Sequence, residues 1–178
     1  MTAKPPKLIM RRKDLAELPD FPTLPVGTRL RRADFPDAPG LARVLASAFA
    51  DERWTPGLVH RLLLDAPDVV AVFVVEVDGV ACATASARLL PERFPHCGYV
   101  HWVGTHAGAA GRGLARLANL AVLHEFVRQR CTAVVLETDD VRLAAIRMYH
   151  GLGFRPEMTE PCHPARWEAV LAQLESAR

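Results

Sequence analysis

The stretch HWVGTHAGAAGRGLARLANLAVLHEF, His101–Phe126, passes from a short apolar run through a turn of small residues into a long helical pattern. YVHWVGT, residues 99–105, reads as a strand. Leu114, Leu117, Leu120, Ala121, His124 and Val127 share one helical stripe, so a helix is expected from Leu114 to Arg130. Between strand and helix stand Gly108, Gly111 and Gly113. Glycines there allow positive φ and close approach of another group to the backbone. A helix that opens directly after such a turn aims unpaired N–H groups at it, and an anion is the natural occupant.

Outward from this unit the chain alternates strands and helices. Upstream, VVAVFVVEV and VACATASAR flank Asp78-Gly79, a strong hairpin signal. Before them, TRLRRAD reads as a strand, and Leu41, Val44, Leu45, Ala48 and Phe49 as one face of a helix. WTPGLVHRLLLDAP starts a second helix, with Thr55 as N-cap and Pro56 in its first turn. Downstream, TAVVLET reads as a strand buried on both faces. Asp139 or Asp140 is placed to cap the helix VRLAAIRMYHGLG, a brief strand FRPEM follows, and HPARWEAVLAQLESAR closes the chain as an amphipathic helix. The expected order is β-α-α-β-β-β-α-β-α-β-α: an α/β fold with a mixed sheet, its helices packed on the faces and its later β-α-β segment parallel. Residues 1–27, with five prolines and a basic cluster, read as an extended or partly ordered arm that could hold a short helical turn near Asp14–Leu18. Residues 28–178 read as a single domain.

Of the 178 residues, 50% are apolar and 24% charged, and the net charge is only +2. That suits one globular domain and argues against a dedicated nucleic-acid binder. No apolar run approaches membrane-spanning length. Cys82, Cys97, Cys131 and Cys162 form no CxxC pair, so reduced thiols are expected rather than a metal site. The expectation is a soluble cytoplasmic protein.

One phosphate-binding reading of the turn fails and a second fits poorly. From Gly108, a P-loop would require Lys and Ser or Thr after Gly113, where Leu114 and Ala115 stand. A dinucleotide fingerprint requires GxGxxG, but these glycines are spaced three and then two apart. A third reading fits. AGRGLA, Ala110–Ala115, resembles the acyl-CoA pyrophosphate loop [QR]xxGx[GA] of the GNAT superfamily of N-acetyltransferases, through Gly113 and Ala115. AAIRMYHGLGF, Ala144–Phe154, resembles that family's AxxLYxxxGF segment. The resemblance spans about Arg29–Met158, with both motifs in order. It departs from the family at Ala110, where Gln or Arg is usual, at Thr105 and Ala107, where VxP is common, and at Arg142, where Asn is frequent.

The resemblance implies acetyl-CoA as cofactor and acetyl transfer to a primary amine of a small molecule or protein, and it is compatible with a homodimer. It implies that Ala110, Gly111, Arg112, Gly113, Leu114, Ala115 and Arg116 cradle the pyrophosphate, and that Val103, Gly104 and Thr105 run beside the pantetheine arm, with a backbone N–H there as oxyanion donor. Gly104 would reduce bulk beside the cofactor. It places Tyr149 as general acid. For the base, the aligned Tyr99 is unsuited at neutral pH. His101 is a candidate, or a satisfied structural histidine. Glu137 is another if its pKa is raised, or it pairs with an arginine; solvent is the third. Trp54, His60 and Arg88 could wall the acceptor site or simply pack, and His163 and Trp167 could anchor the last helix or form a lid. Two other classes remain: an acyl-CoA sensor without catalysis, and an enzyme using NAD or ATP.

Overall fold

The computed structural model describes residues 5–176. Its strands are β1 (Leu8–Arg12), β2 (Thr28–Arg32), β3 (Val69–Val77), β4 (Val80–Leu89), β5 (Cys97–Thr105), β6 (Ala133–Thr138) and β7 (Arg155–Glu157). Its helices are α1 (Ala38–Phe49), α2 (Pro56–Val59, continued by a π turn over His60–Leu64), α3 (Leu114–Arg128), α4 (Leu143–Gly151) and α5 (His163–Ser176). The strands form one sheet in the order β2-β3-β4-β5-β6-β1-β7. Among the described residues only β5 and β6 pair in parallel, as the β-α-β reading requires. The expected mixed α/β architecture is therefore present, with the expected order of elements from β2 onward.

Local chemistry explains the elements. Asp78 and Gly79 both take positive φ, 49° and 78°, the backbone a tight β3–β4 turn demands. Thr55 Oγ1 accepts from Leu58 N at 3.3 Å and caps α2. Helix α3 lies on one face of the sheet, burying Leu117, Leu123 and Phe126, while α1 and α2 cover the other around Leu41, Leu45 and Val74. Helix α3 is buried over more than the expected stripe, and Val127 is left 46% exposed.

The arm expected over residues 1–27 does not stay outside the fold. Leu8–Arg12 inserts between β6 and β7, antiparallel to both, with Leu8 and Met10 fully buried. The domain therefore reaches back to Leu8 rather than beginning at residue 28. Five residues among prolines are too short for periodicity to reveal, and the partners of the strand lie more than a hundred residues away. Residues 1–4 fall outside the described residues. The turn expected at Asp14–Leu18 is not helical; Arg12 holds it by donating to the carbonyls of Asp14 and Glu17. Neither Asp139 nor Asp140 caps α4, because Lys7 and Arg166 engage them.

Candidate functional site

Strand β5 builds the site. Its ladder with β6 runs from Cys97–Ala133 to Val100–Leu136 and stops, so residues 101–105 separate from β6. On its other side, pairing with β4 jumps from His101–Ser86 to Gly104–Thr84, leaving Trp102 and Val103 opposite the single residue Ala85. Trp102 sits at φ +45° in this bulge. Bulges re-aim side chains next to functional sites. Here the bulge changes which face follows: a Cβ on Gly98 would strike Phe126 of α3, whereas one on Gly104 would lie 2.9 Å from Ala48 of α1. The missing side chain of Gly104 thus makes room for α1, and only its backbone borders the cavity expected for a cofactor.

That cavity, of about 340 Å³, lies between the separated end of β5, the start of α3 and α4. Its lining includes Val103, Gly104, Thr105, the whole of Ala110–Arg116, and Tyr149. Every residue expected to hold a cofactor is therefore brought to one cavity. Gly111 and Gly113 have φ of +77° and +74°, and a Cβ on either would meet nothing within 4 Å. Glycine is needed there for the backbone shape, which faces open space. Among the described residues, no N–H of Gly111–Arg116 has a hydrogen-bond acceptor. Six free N–H groups at the positive end of a 15-residue helix make an anion cradle. Arg112 and Arg116 border it without an ion-pair partner among the described residues. The loop fits a diphosphate even with Ala110 in its first position, because the backbone supplies the donors.

Tyr149, on α4, is 6% exposed, and its ring meets Phe154 edge-on at 5.9 Å. Its hydroxyl makes no hydrogen bond among the described residues. Burial raises its pKa above the ordinary phenol value, only partly countered by Arg142. It also lines a second cavity, of about 200 Å³, with Val103, Tyr99, His101 and Glu137. The three expected catalytic side chains thus share one space.

The two candidate bases are not tuned as bases near neutral pH. Burial alone would raise the pKa of Glu137, but hydrogen bonds from Arg93 and from Tyr99 Oη, at 2.7 Å, leave it lowered. Of its two expected states, the arginine-paired one is observed. Burial, and then the charge of Arg88, lowers the pKa of His101 to about 4. Its Nε2 lies 3.4 Å from Arg88 Nη1, and its Nδ1 is buried without a partner. Tyr99 is raised by burial and by its bond to Glu137, so it stays a neutral donor.

Beyond these cavities a wider one, of about 880 Å³, is walled by Phe49, Trp54 and Trp102. Trp102 meets Phe49 at 88° and Trp54 at 83°. Arg88, paired with Asp68, borders a separate hollow beside His101. His60 instead packs at a tilt against Phe35, with ring centroids 3.8 Å apart. His163 and Trp167 are core residues, 0% and 1% exposed, and form no lid. Sequence reading missed Lys7, Phe49, Trp102, Asp139 and Arg142 as lining residues. Arg142 was visible only as a departure from the family pattern, and Lys7 sat in what looked like a solvated arm.

Comparison with known proteins agrees with this geometry. The sequence model of the Acetyltransferase (GNAT) family matches residues 30–154. The chain is 34% identical over 165 residues to a mycothiol acetyltransferase of Frankia casuarinae, covering 83% of this chain and 47% of that one. It is 31% identical over 155 residues to a mycothiol acetyltransferase of Thermomonospora curvata, covering 83% and 51%. The chain thus spans about half the length of the curated relatives it matches. A crystal structure of a GNAT-family protein from Novosphingobium aromaticivorans superposes with a TM-score of 0.64 at 24% identity, over 85% of this chain and 60% of that one. The ribosomal-protein-S18-alanine N-acetyltransferase of Escherichia coli does so with a TM-score of 0.62 at 17% identity, over 74% and 79%. Both likenesses bear on the fold. Taken with the two motifs, the separated strand and the N–H cradle, the match places this chain in the acetyltransferase (GNAT) family.

Proposed function

We propose that the protein is an acetyl-CoA-dependent N-acetyltransferase that moves an acetyl group to a primary amine in the cytoplasm, with Tyr149 as general acid. The observation that carries this reading is the position of Tyr149, which lines both the cavity headed by the Gly111–Arg116 cradle and the cavity holding His101 and Glu137. When bound, acetyl-CoA supplies an activated acetyl thioester. The N–H groups of Gly111–Arg116, with Arg112 and Arg116, hold its pyrophosphate, and Val103–Thr105 border its arm. Tyr149 keeps its proton across the neutral range and delivers it from Oη to the departing sulfur. A backbone N–H at Val103–Thr105 serves the developing oxyanion. With Glu137 locked in an ion pair and His101 a weak base, solvent takes the proton of the acceptor amine. The relatives named mycothiol acetyltransferase favour a small-molecule acceptor.

The pH dependence of thiol release tests this. His101 titrates near 4, so it is already neutral at pH 6 and contributes no inflection above that. Tyr149 is raised, so it is still protonated at pH 9. With acetyl-CoA and a panel of primary amines, kcat/KM is expected to climb steadily from pH 6 to 9, following deprotonation of the free amine. An inflection near the ordinary histidine value, about 6.5, would instead make a histidine the base. Binding of acetyl-CoA without thiol release from any amine class would favour the sensor.

A further inference from the structure

Past Tyr149 the 200 Å³ cavity meets the wider 880 Å³ one, and Lys7, Phe49, Trp102, Asp139 and Arg142 line both. The carboxylates around this junction differ in their commitments. Glu137 is bound by Arg93 and Tyr99. Asp51 is clamped by both ends of the Arg53 guanidinium at 2.8 Å. Asp139 is the remaining one, and it already holds a primary alkylammonium: Lys7 Nζ donates to Oδ1 and Oδ2, each at 2.6 Å. Arg142 flanks it, Nε at 3.9 Å, with its guanidinium 4.4 Å over the Phe49 ring.

The hold of Lys7 is suited to release. Its side chain is 40% exposed and that of Asp139 33%, and half-exposed ion pairs contribute little to stability. Lys7 lies one step outside β1, beyond the last rung of the ladder at Leu8–Thr138. An incoming ammonium would meet the same carboxylate, with the aromatic wall of Phe49, Trp54 and Trp102 beside it.

We propose that Asp139 seats the ammonium of the acceptor and that Lys7 is its internal stand-in, so that acceptors are primary alkylamines that enter by displacing Lys7. The proposal rests on the acetyl-transfer reading above. The seated amine gives one proton to solvent, and its nitrogen forms the C–N bond as the C–S bond breaks. The Tyr149 proton goes to the departing thiolate, and the second proton lost by nitrogen restores the phenol.

Lys7→Ala removes a piece the size of n-propylamine, which is the probe. N-propylacetamide formation and thiol release are followed in the wild type, Lys7→Ala and Lys7→Ala/Asp139→Asn, each first shown to bind acetyl-CoA. Lys7→Ser replaces Lys7→Ala if the latter does not fold. Lys7→Ala is expected to raise kcat/KM for n-propylamine by about fivefold, the upper worth of a half-exposed ion pair. The gain should fall on KM and vanish when Asp139→Asn is added. Equal kcat/KM in wild type and Lys7→Ala, a gain that survives Asp139→Asn, or no acetylation by proteins that bind acetyl-CoA would each overturn the seat. A wild-type protein that fails to bind acetyl-CoA would overturn the acetyl-transfer reading and the seat with it, an outcome visible before any amine is added.

Discussion

Tyr149→Phe is expected to lower kcat by about 10²–10⁴-fold, the usual contribution of a positioned general acid. Acetyl-CoA binding should survive the substitution. The change removes one oxygen from a buried ring whose edge contact with Phe154 depends on its carbons. That hydroxyl makes no hydrogen bond among the described residues, so its loss leaves no partner unsatisfied and little stability is at stake. Stopped-flow thiol release combined with a binding titration separates the two effects. Unchanged turnover would remove Tyr149 from the chemistry, and loss of binding would make it part of the cofactor wall.

The second large effect is expected at the cradle. Arg112 and Arg116 border six N–H groups that lack acceptors, and neither arginine is engaged elsewhere among the described residues. A charge-assisted hydrogen bond contributes about 1.5–3 kcal/mol. Reversing both charges in Arg112→Glu/Arg116→Glu should therefore weaken acetyl-CoA binding by about 10²-fold or more. Wild-type affinity should fall with added salt, and that dependence should flatten in the variant. Isothermal titration at two ionic strengths reads both. An unchanged Kd would mean that the arginines only solvate the first turn of α3 and that the backbone holds the anion alone.

The parts of this fold legible in the sequence are those governed by neighbours in the chain. Asp78-Gly79 dictates its hairpin by local dihedral preference, and the glycines at 111 and 113 announce a turn whose backbone the structure bears out. Helical spacing from Leu143 to Gly151 turns Tyr149 inward. The remainder depends on contacts that no local pattern carries. Strand β1 is stabilised by β6 and β7, so LIMRR alone gives no sign of it. Glu137 had two readings because its pKa is set by Arg93, 44 positions away, and by the Tyr99 hydroxyl, 38 away. The Lys7–Asp139 pair spans 132 positions and exists only because β1 inserts. The bulge at Trp102 breaks the strand's alternation between His101 and Val103, yet both reach the cavity with Tyr149.

Whether the Gly111–Arg116 turn holds the pyrophosphate of acetyl-CoA is decided by titrating the purified protein with acetyl-CoA, CoA, NAD and ATP side by side. Saturable binding of acetyl-CoA and CoA is predicted, with the fold stabilised by about 2.7 kcal/mol at 100 times Kd, and no binding of NAD or ATP. No binding of either coenzyme A species, or binding of NAD or ATP in their place, would mean that the turn does not hold this pyrophosphate.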